Sequence, residues 1–204
     1  MRYKLFGIVA ACFFVLTAHH LASAQSETPR YEVGAQFTAL RLKEFRILDA
    51  HVIYGLGARF TYNLTDNVAV EAEGNYFPAD DYFGGRRTTQ GLFGVKAGVR
   101  RRKVGVFGKA RPGFIRFKNP AFRLLPGGGG SLVETGQFIS RSELAFDIGG
   151  VVEFYPSRRL SLRTDVGDTI VRFDRGGDFI TGRPRRLFFT SHNLQFSTGV
   201  SFRF

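Results

Sequence analysis

From Leu194 to Phe204 the chain reads LQFSTGVSFRF. Every second residue (Leu194, Phe196, Thr198, Val200, Phe202, Phe204) contrasts with the Gln195, Ser197, Gly199, Ser201 and Arg203 between them. Period-two alternation makes a strand with one apolar and one polar face. The same pattern recurs upstream, so that strands are predicted over 31–42, 51–63, 68–77, 89–100, 104–117, 142–155, 160–173 and 192–204. Each has about the 9–11 residues, or slightly more, that a tilted strand needs to cross a bilayer. Eight such segments constrain the chain to an all-β fold.

The connections have a rhythm of their own. The second, fourth and sixth are tight, reading LTDN, RRK and PSRR; the others are long, covering 43–50, 78–88, 118–141 and 174–191. Alternation of tight and long connections means up-and-down antiparallel hairpins, with every long loop at one end and both termini at the other. The longest loop contains PGGGG at 126–130, which loses too much entropy to hold regular structure cheaply. A content of 25 Gly and 23 Phe with no Trp suits such a turn-rich β protein.

The first 24 residues have a different character. Arg2 and Lys4 precede an apolar run from Leu5 to Ala18, and Ala22-Ser23-Ala24 forms a small-residue cleavage site. This is the pattern of a secretory signal peptide, so residues 1–24 are expected to be cleaved and 25–204 to form a single domain. Cys12, the only cysteine, leaves with the leader, so neither disulfides nor thiolate metal sites are expected in the exported protein. The formal charge of +12 falls to +10 once Arg2 and Lys4 are removed. Such a balance permits nucleic-acid binding, but an exported chain meets little nucleic acid, and none is expected as a partner.

An eight-stranded barrel is either a soluble carrier with an apolar inside or a membrane barrel with an apolar outside. Side-chain volume decides between them. One face carries Tyr54, Leu56, Phe60, Val68, Val70, Phe93, Val95, Val99, Leu144, Phe146, Ile148, Leu162 and Val166, besides the last strand's set. An eight-stranded lumen is just filled by ordinary side chains, and this bulk exceeds it. The apolar face is therefore assigned to lipid, and the fold predicted is an eight-stranded antiparallel up-and-down transmembrane β-barrel.

The opposite face holds Glu32, Arg59, Glu71, Glu73, Lys96, Arg100, Lys109, Arg111, Glu143, Asp147, Glu153, Arg163, Asp165 and Arg203. Seven are acidic and seven basic, a balance that a closed interior requires because an unpaired buried charge costs several kcal/mol. If Tyr62 faces Val68 across the first tight turn, Arg59 faces Glu71. If Pro156 faces Leu160, Glu153 faces Arg163, and Glu32 meets Arg203 where last and first strands close. The surplus positive charge then lies in the tight turns (Arg101, Arg102, Lys103, Arg158, Arg159) and the long loops (Lys118, Arg123, Arg141, Arg175, Arg183, Arg185, Arg186). Tyr31, Tyr62, Tyr76, Phe154, Tyr155, Phe173 and Phe204, near strand ends, are expected to form interfacial aromatic girdles.

Signal peptide, eight alternating strands, loop rhythm and terminal Phe204 together resemble the small bacterial outer-membrane β-barrels of the OmpA/OmpX type, over the whole of residues 25–204. The resemblance implies the outer membrane of a Gram-negative cell. It implies outer-membrane lipid and lipopolysaccharide as partners, a monomer, no cofactor, and Phe204 as the signal read by the assembly machinery during insertion. The soluble peptidoglycan-binding domain that often follows such barrels is not present in this sequence. A structural role, in envelope integrity or in presenting loops for adhesion, is the leading expectation. A small low-conductance pore is the second. The third is a lipid A deacylase, since some eight-stranded barrels carry a His, Ser and acid set near the membrane surface, and TSHN supplies Ser191 and His192 with His51 near the same rim. Ser191 and His192 are adjacent and so point to opposite faces, which argues against an enzyme. No phosphate loop, metal cluster or nucleophile elbow is present in the sequence.

Overall fold

The computed structural model describes residues 28–43, 50–80, 85–124, 132–176 and 186–204. The predicted leader, with its cleavage site, and the tips of the long connections, with PGGGG, Arg183 and Arg185, lie outside the described residues. Eight strands follow in chain order: β1 (Tyr31–Leu42), β2 (His51–Asn63), β3 (Val68–Asp80), β4 (Arg86–Arg100), β5 (Val104–Leu124), β6 (Leu132–Phe154), β7 (Leu160–Gly176) and β8 (Arg186–Arg203). Each pairs antiparallel with its sequence neighbours, and β8 returns to β1 to close the barrel. At the seam Glu32 lies opposite Arg203, and Tyr31 and Phe204 exchange two backbone hydrogen bonds of 2.9 Å.

Strands β3 to β8 outrun the alternating segments at the long-connection end. The β5–β6 ladder continues to Leu124 opposite Leu132, with a shift of register between Pro120 and Phe122. Much of what the sequence presents as loop is thus paired strand. Past the bilayer no lipid selects one face over the other, so alternation is lost while backbone hydrogen bonds still propagate the ladder. Proline has no N–H to give, and the shift at Pro120 falls where the ladder loses a donor.

The first tight turn corrects a register. Leu64 and Thr65 donate their backbone N–H groups to Val68 O at 2.9 and 3.0 Å. The Thr65 hydroxyl accepts from the N–H groups of Asn67 and Val68 at 3.2 and 3.0 Å, a serine/threonine turn that shortens the connection. Tyr62 therefore faces Val70 rather than Val68, and Arg59 faces Glu73 rather than Glu71.

The apolar face points outward along every strand. Leu144, Leu56 and Phe93 keep 72, 69 and 62 % of their surface exposed, which, repeated along every strand, suits a lipid-facing belt and not a water-facing surface. Tyr31, Tyr76, Phe154 and Phe204 lie on this outer face near the turn end or along it. Tyr155 and Phe173 do not: both are buried inside the barrel, because Tyr155 continues the inward parity of Glu153 and Phe173 that of Val171. The girdle expected there is smaller by these two rings.

The lumen is layered. Charged side chains fill the half nearest the tight turns. Above them runs a chain of amides and hydroxyls. Gln36 donates to Asn75 at 2.8 Å, Asn75 to Gln90 at 2.8 Å, Gln90 to Gln195 at 2.9 Å, and Thr169 to Gln195 at 2.8 Å. Nearest the long connections Leu40, Leu42, Ile53, Phe77, Ile115, Phe117, Val171 and Phe173 pack into an apolar cluster. Buried polar groups share that level: Arg86 lies 4.8 Å from the Phe117 ring, and Thr88 and Glu143 are buried beside it. A lumen polar throughout is what alternation alone suggests; here its outer end holds a small hydrophobic core. The space between strands is tight enough that a Cβ added at luminal Gly94 would stand 2.2 Å from Ala110 O and 2.7 Å from Arg111 Cα.

Candidate functional site: the luminal plug

All fourteen charged residues of the polar face point into the barrel, thirteen of them buried and Arg100 with only 7 % of its side chain exposed. Strand neighbours supply part of the pairing, as in Arg59–Glu73, Arg111–Asp147 and Arg203–Glu32, and the opposite wall supplies Arg163–Glu71 and Arg59–Asp165. Side chains from a narrow ring converge on its axis, where the partner across the lumen is as near as the one alongside.

Glu71 of β3 shows the consequence. It receives both terminal nitrogens of Arg163 from β7, one at 3.0 Å (Nη2–Oε2) and the other closer still. Lys96 Nζ lies 3.4 Å and Arg111 Nη1 3.6 Å from the same carboxylate, and the Thr61 hydroxyl donates at 3.2 Å. Glu73 takes Arg111 at 2.6 Å and Arg59 at 3.0 Å, with Asn75 donating at 2.8 Å. Arg111 also clamps Asp147 through Nε and Nη2 at 2.9 and 2.7 Å, and Lys109 stands 3.0 Å from that carboxylate. Arg59 reaches across to Asp165 at 2.8 Å and bonds Gln36, while Arg163 holds the other Asp165 oxygen at 2.9 Å. Multiple charged hydrogen bonds to each carboxylate are what a buried ion requires to offset its lost hydration.

The two cross-strand pairs read from the sequence fare differently. Arg59 and Glu71 are not opposite one another, for the register reason given above. Glu153 and Arg163 are opposed in register, and Arg163 Nη1 donates to Glu153 Oε1 at 3.4 Å. Glu153 is held chiefly by Lys96, and by the Tyr155 hydroxyl at 2.5 Å. At the seam Arg203 Nε donates to Glu32 at 3.2 Å.

Glu143 departs from the expected balance. It sits opposite Ile115, at the level of the apolar layer, and is bonded by Arg141 on its own strand. The plug proper therefore has seven cations (Arg59, Lys96, Arg100, Lys109, Arg111, Arg163, Arg203) against six acids (Glu32, Glu71, Glu73, Asp147, Glu153, Asp165). The amide chain and Tyr155, which complete the plug, escaped sequence reasoning; their inward parity was legible, but nothing marked amides as partners across the lumen.

The residues of the deacylase expectation do not converge. Ser191 faces inward and donates to Lys43 O at 2.6 Å and to Asn193 Oδ1 at 2.9 Å. His192 faces outward, with Nδ1 2.6 Å from Asp168 Oδ2. His51 begins β2 opposite Leu42.

The family model of the outer membrane protein beta-barrel domain matches residues 8–204. Among curated proteins, none matches the chain. Among solved structures, Neisserial surface protein A (NspA) is similar with a TM-score of 0.59 at 12 % identity, over 85 % of this chain and 97 % of that one. Ail, the attachment invasion locus protein of Yersinia pestis, is similar with a TM-score of 0.54 at 12 % identity, over 87 % of this chain and 99 % of that one. At such identity the likeness is one of fold. A family match along nearly the whole sequence, joined to a closed ring of eight strands with its apolar face outward, places this chain in the outer-membrane β-barrel family.

Proposed function

We propose that the protein is a closed structural barrel of the outer membrane, supporting envelope integrity and presenting its long-connection ends for interaction outside the cell, with no enzymatic activity. The observation that supports this reading is the three-layered filling of the lumen. An ion crossing it has to displace charged hydrogen bonds, then an amide chain, then an apolar layer, each unfavourable to a hydrated ion. In this reading the protein is a monomer in outer-membrane lipid, and outward cations near the long connections, such as Arg116 and Lys118, lie where lipopolysaccharide phosphates are found. The single-channel current of the purified barrel in planar bilayers tests it. Baseline current is expected over the voltage range at which a 16-stranded porin opens; stable steps of porin size abolish the reading. A strain lacking the protein is expected to take up more hydrophobic dye, or to adhere less, than its parent.

A further inference from the structure

At the tight-turn end the barrel opens into a cavity of about 700 Å³. Arg100 and Arg203 line its floor, and Arg101, Arg102, Lys103 and Arg158 line its rim. The acid among the lining residues is Asp66, bonded by the Thr28 hydroxyl. The volume is that of a small-molecule site, and its field is strongly positive.

The floor is also where the plug's charge does not close. Seven cations meet six acids within the plug, and unmet bonds remain on Lys109 and Asp147 deeper in the lumen and, at this floor, on Arg100. Its Nη2 donates to Asn63 at 3.2 Å and lies 3.6 Å from both Glu32 and Glu153. Its Nε and Nη1 are buried and make no hydrogen bond among the described residues. The guanidinium is kept in place by the rings of Tyr155, 5.3 Å away, and Phe107, 5.5 Å away, while Arg203 lies 4.5 Å from the Tyr155 ring. Two buried charged donors without acceptors, at a floor beneath a collar of cations, make a site that an oxyanion entering the mouth would complete.

We propose that this mouth binds a compact multiply charged phosphate, with Arg100 and Arg203 as the direct contacts and the rim cations supplying attraction. In barrels of this kind the short turns face the periplasm, so the ligand comes from there, either as a soluble phosphate compound or as the headgroup of an inner-leaflet lipid. The site lies on the barrel axis, away from the lipid belt and the long-connection end, and its occupancy is independent of the structural reading above.

Calorimetric titration of the folded barrel in phosphatidylcholine nanodiscs with inorganic pyrophosphate tests the proposal. Saturable binding at one site is expected, weakened roughly tenfold or more by Arg100→Gln, since each lost charged hydrogen bond has about that weight. Arg116→Gln, an outward cation at the other end, is expected to leave it unchanged. Should Arg100→Gln fail to fold, the rim variant Arg101→Gln with Arg158→Gln keeps the question open to measurement: affinity and its salt dependence are expected to fall while the barrel stays folded. Repeating the titration with phosphatidylglycerol in the disc identifies the source. Weakened pyrophosphate binding means the lipid headgroup competes for the site, and unchanged binding means a soluble ligand. Heat that never saturates, or that falls equally in Arg100→Gln and Arg116→Gln, overturns the site in favour of general attraction to a basic protein.

Discussion

Arg163 and Glu71 are 92 residues apart and meet only because the ring is narrow. The turn hydroxyl of Thr65 moved β2 against β3 by one dipeptide, enough to give Arg59 a different carboxylate. A double-mutant cycle on urea unfolding in lipid vesicles discriminates between these partners. Glu71→Ala is expected to cost about 3–5 kcal/mol by leaving a buried guanidinium unpaired. Coupling of Glu71 with Arg163 should greatly exceed its coupling with Arg59. Equal couplings would mean that the two guanidinium groups share the carboxylate, and the cross-lumen pairing described here would be wrong.

Among the elements, the membrane-spanning parts of all eight strands were legible because lipid on one side and a filled lumen on the other enforce alternation. Their extensions beyond the membrane were not, since nothing there enforces a pattern. The apolar outer layer of the lumen was equally hidden, as inward Leu40, Ile53 and Phe117 share sequence periodicity with inward Arg59 and Lys109. Phe146→Arg, Val95→Arg and Leu162→Arg, each on the lipid face, are expected to lower stability by about 2–4 kcal/mol near the bilayer midplane. Ala145→Ser, on the luminal face beside Phe146, should cost much less. Gly94→Ser is luminal too but should be damaging, because its Cβ would overlap the β5 backbone at Ala110 and Arg111. Unfolding midpoints of these five variants in vesicles check the assignment; tolerance of arginine at all three belt positions would invert the faces.

For the whole molecule, closure is the property that matters most, because a ring leaves no strand edge unpaired in lipid. The folded protein is accordingly expected in the outer-membrane fraction and to migrate faster on detergent gels unheated than boiled. Identical migration of the two samples, with the protein in the soluble fraction, contradicts a closed barrel. The seam between β1 and β8 has a further consequence, for the order of events in folding. Its Glu32–Arg203 contact spans 171 residues, while every other strand pair joins sequence neighbours across a hairpin. That junction carries the largest single loop-closure entropy, although this cost grows only slowly with length, so the seam is expected to close after the hairpins have zipped. Until it does, the edges of β1 and β8 stay unpaired, and the meeting of Tyr31 with Phe204 completes the ring.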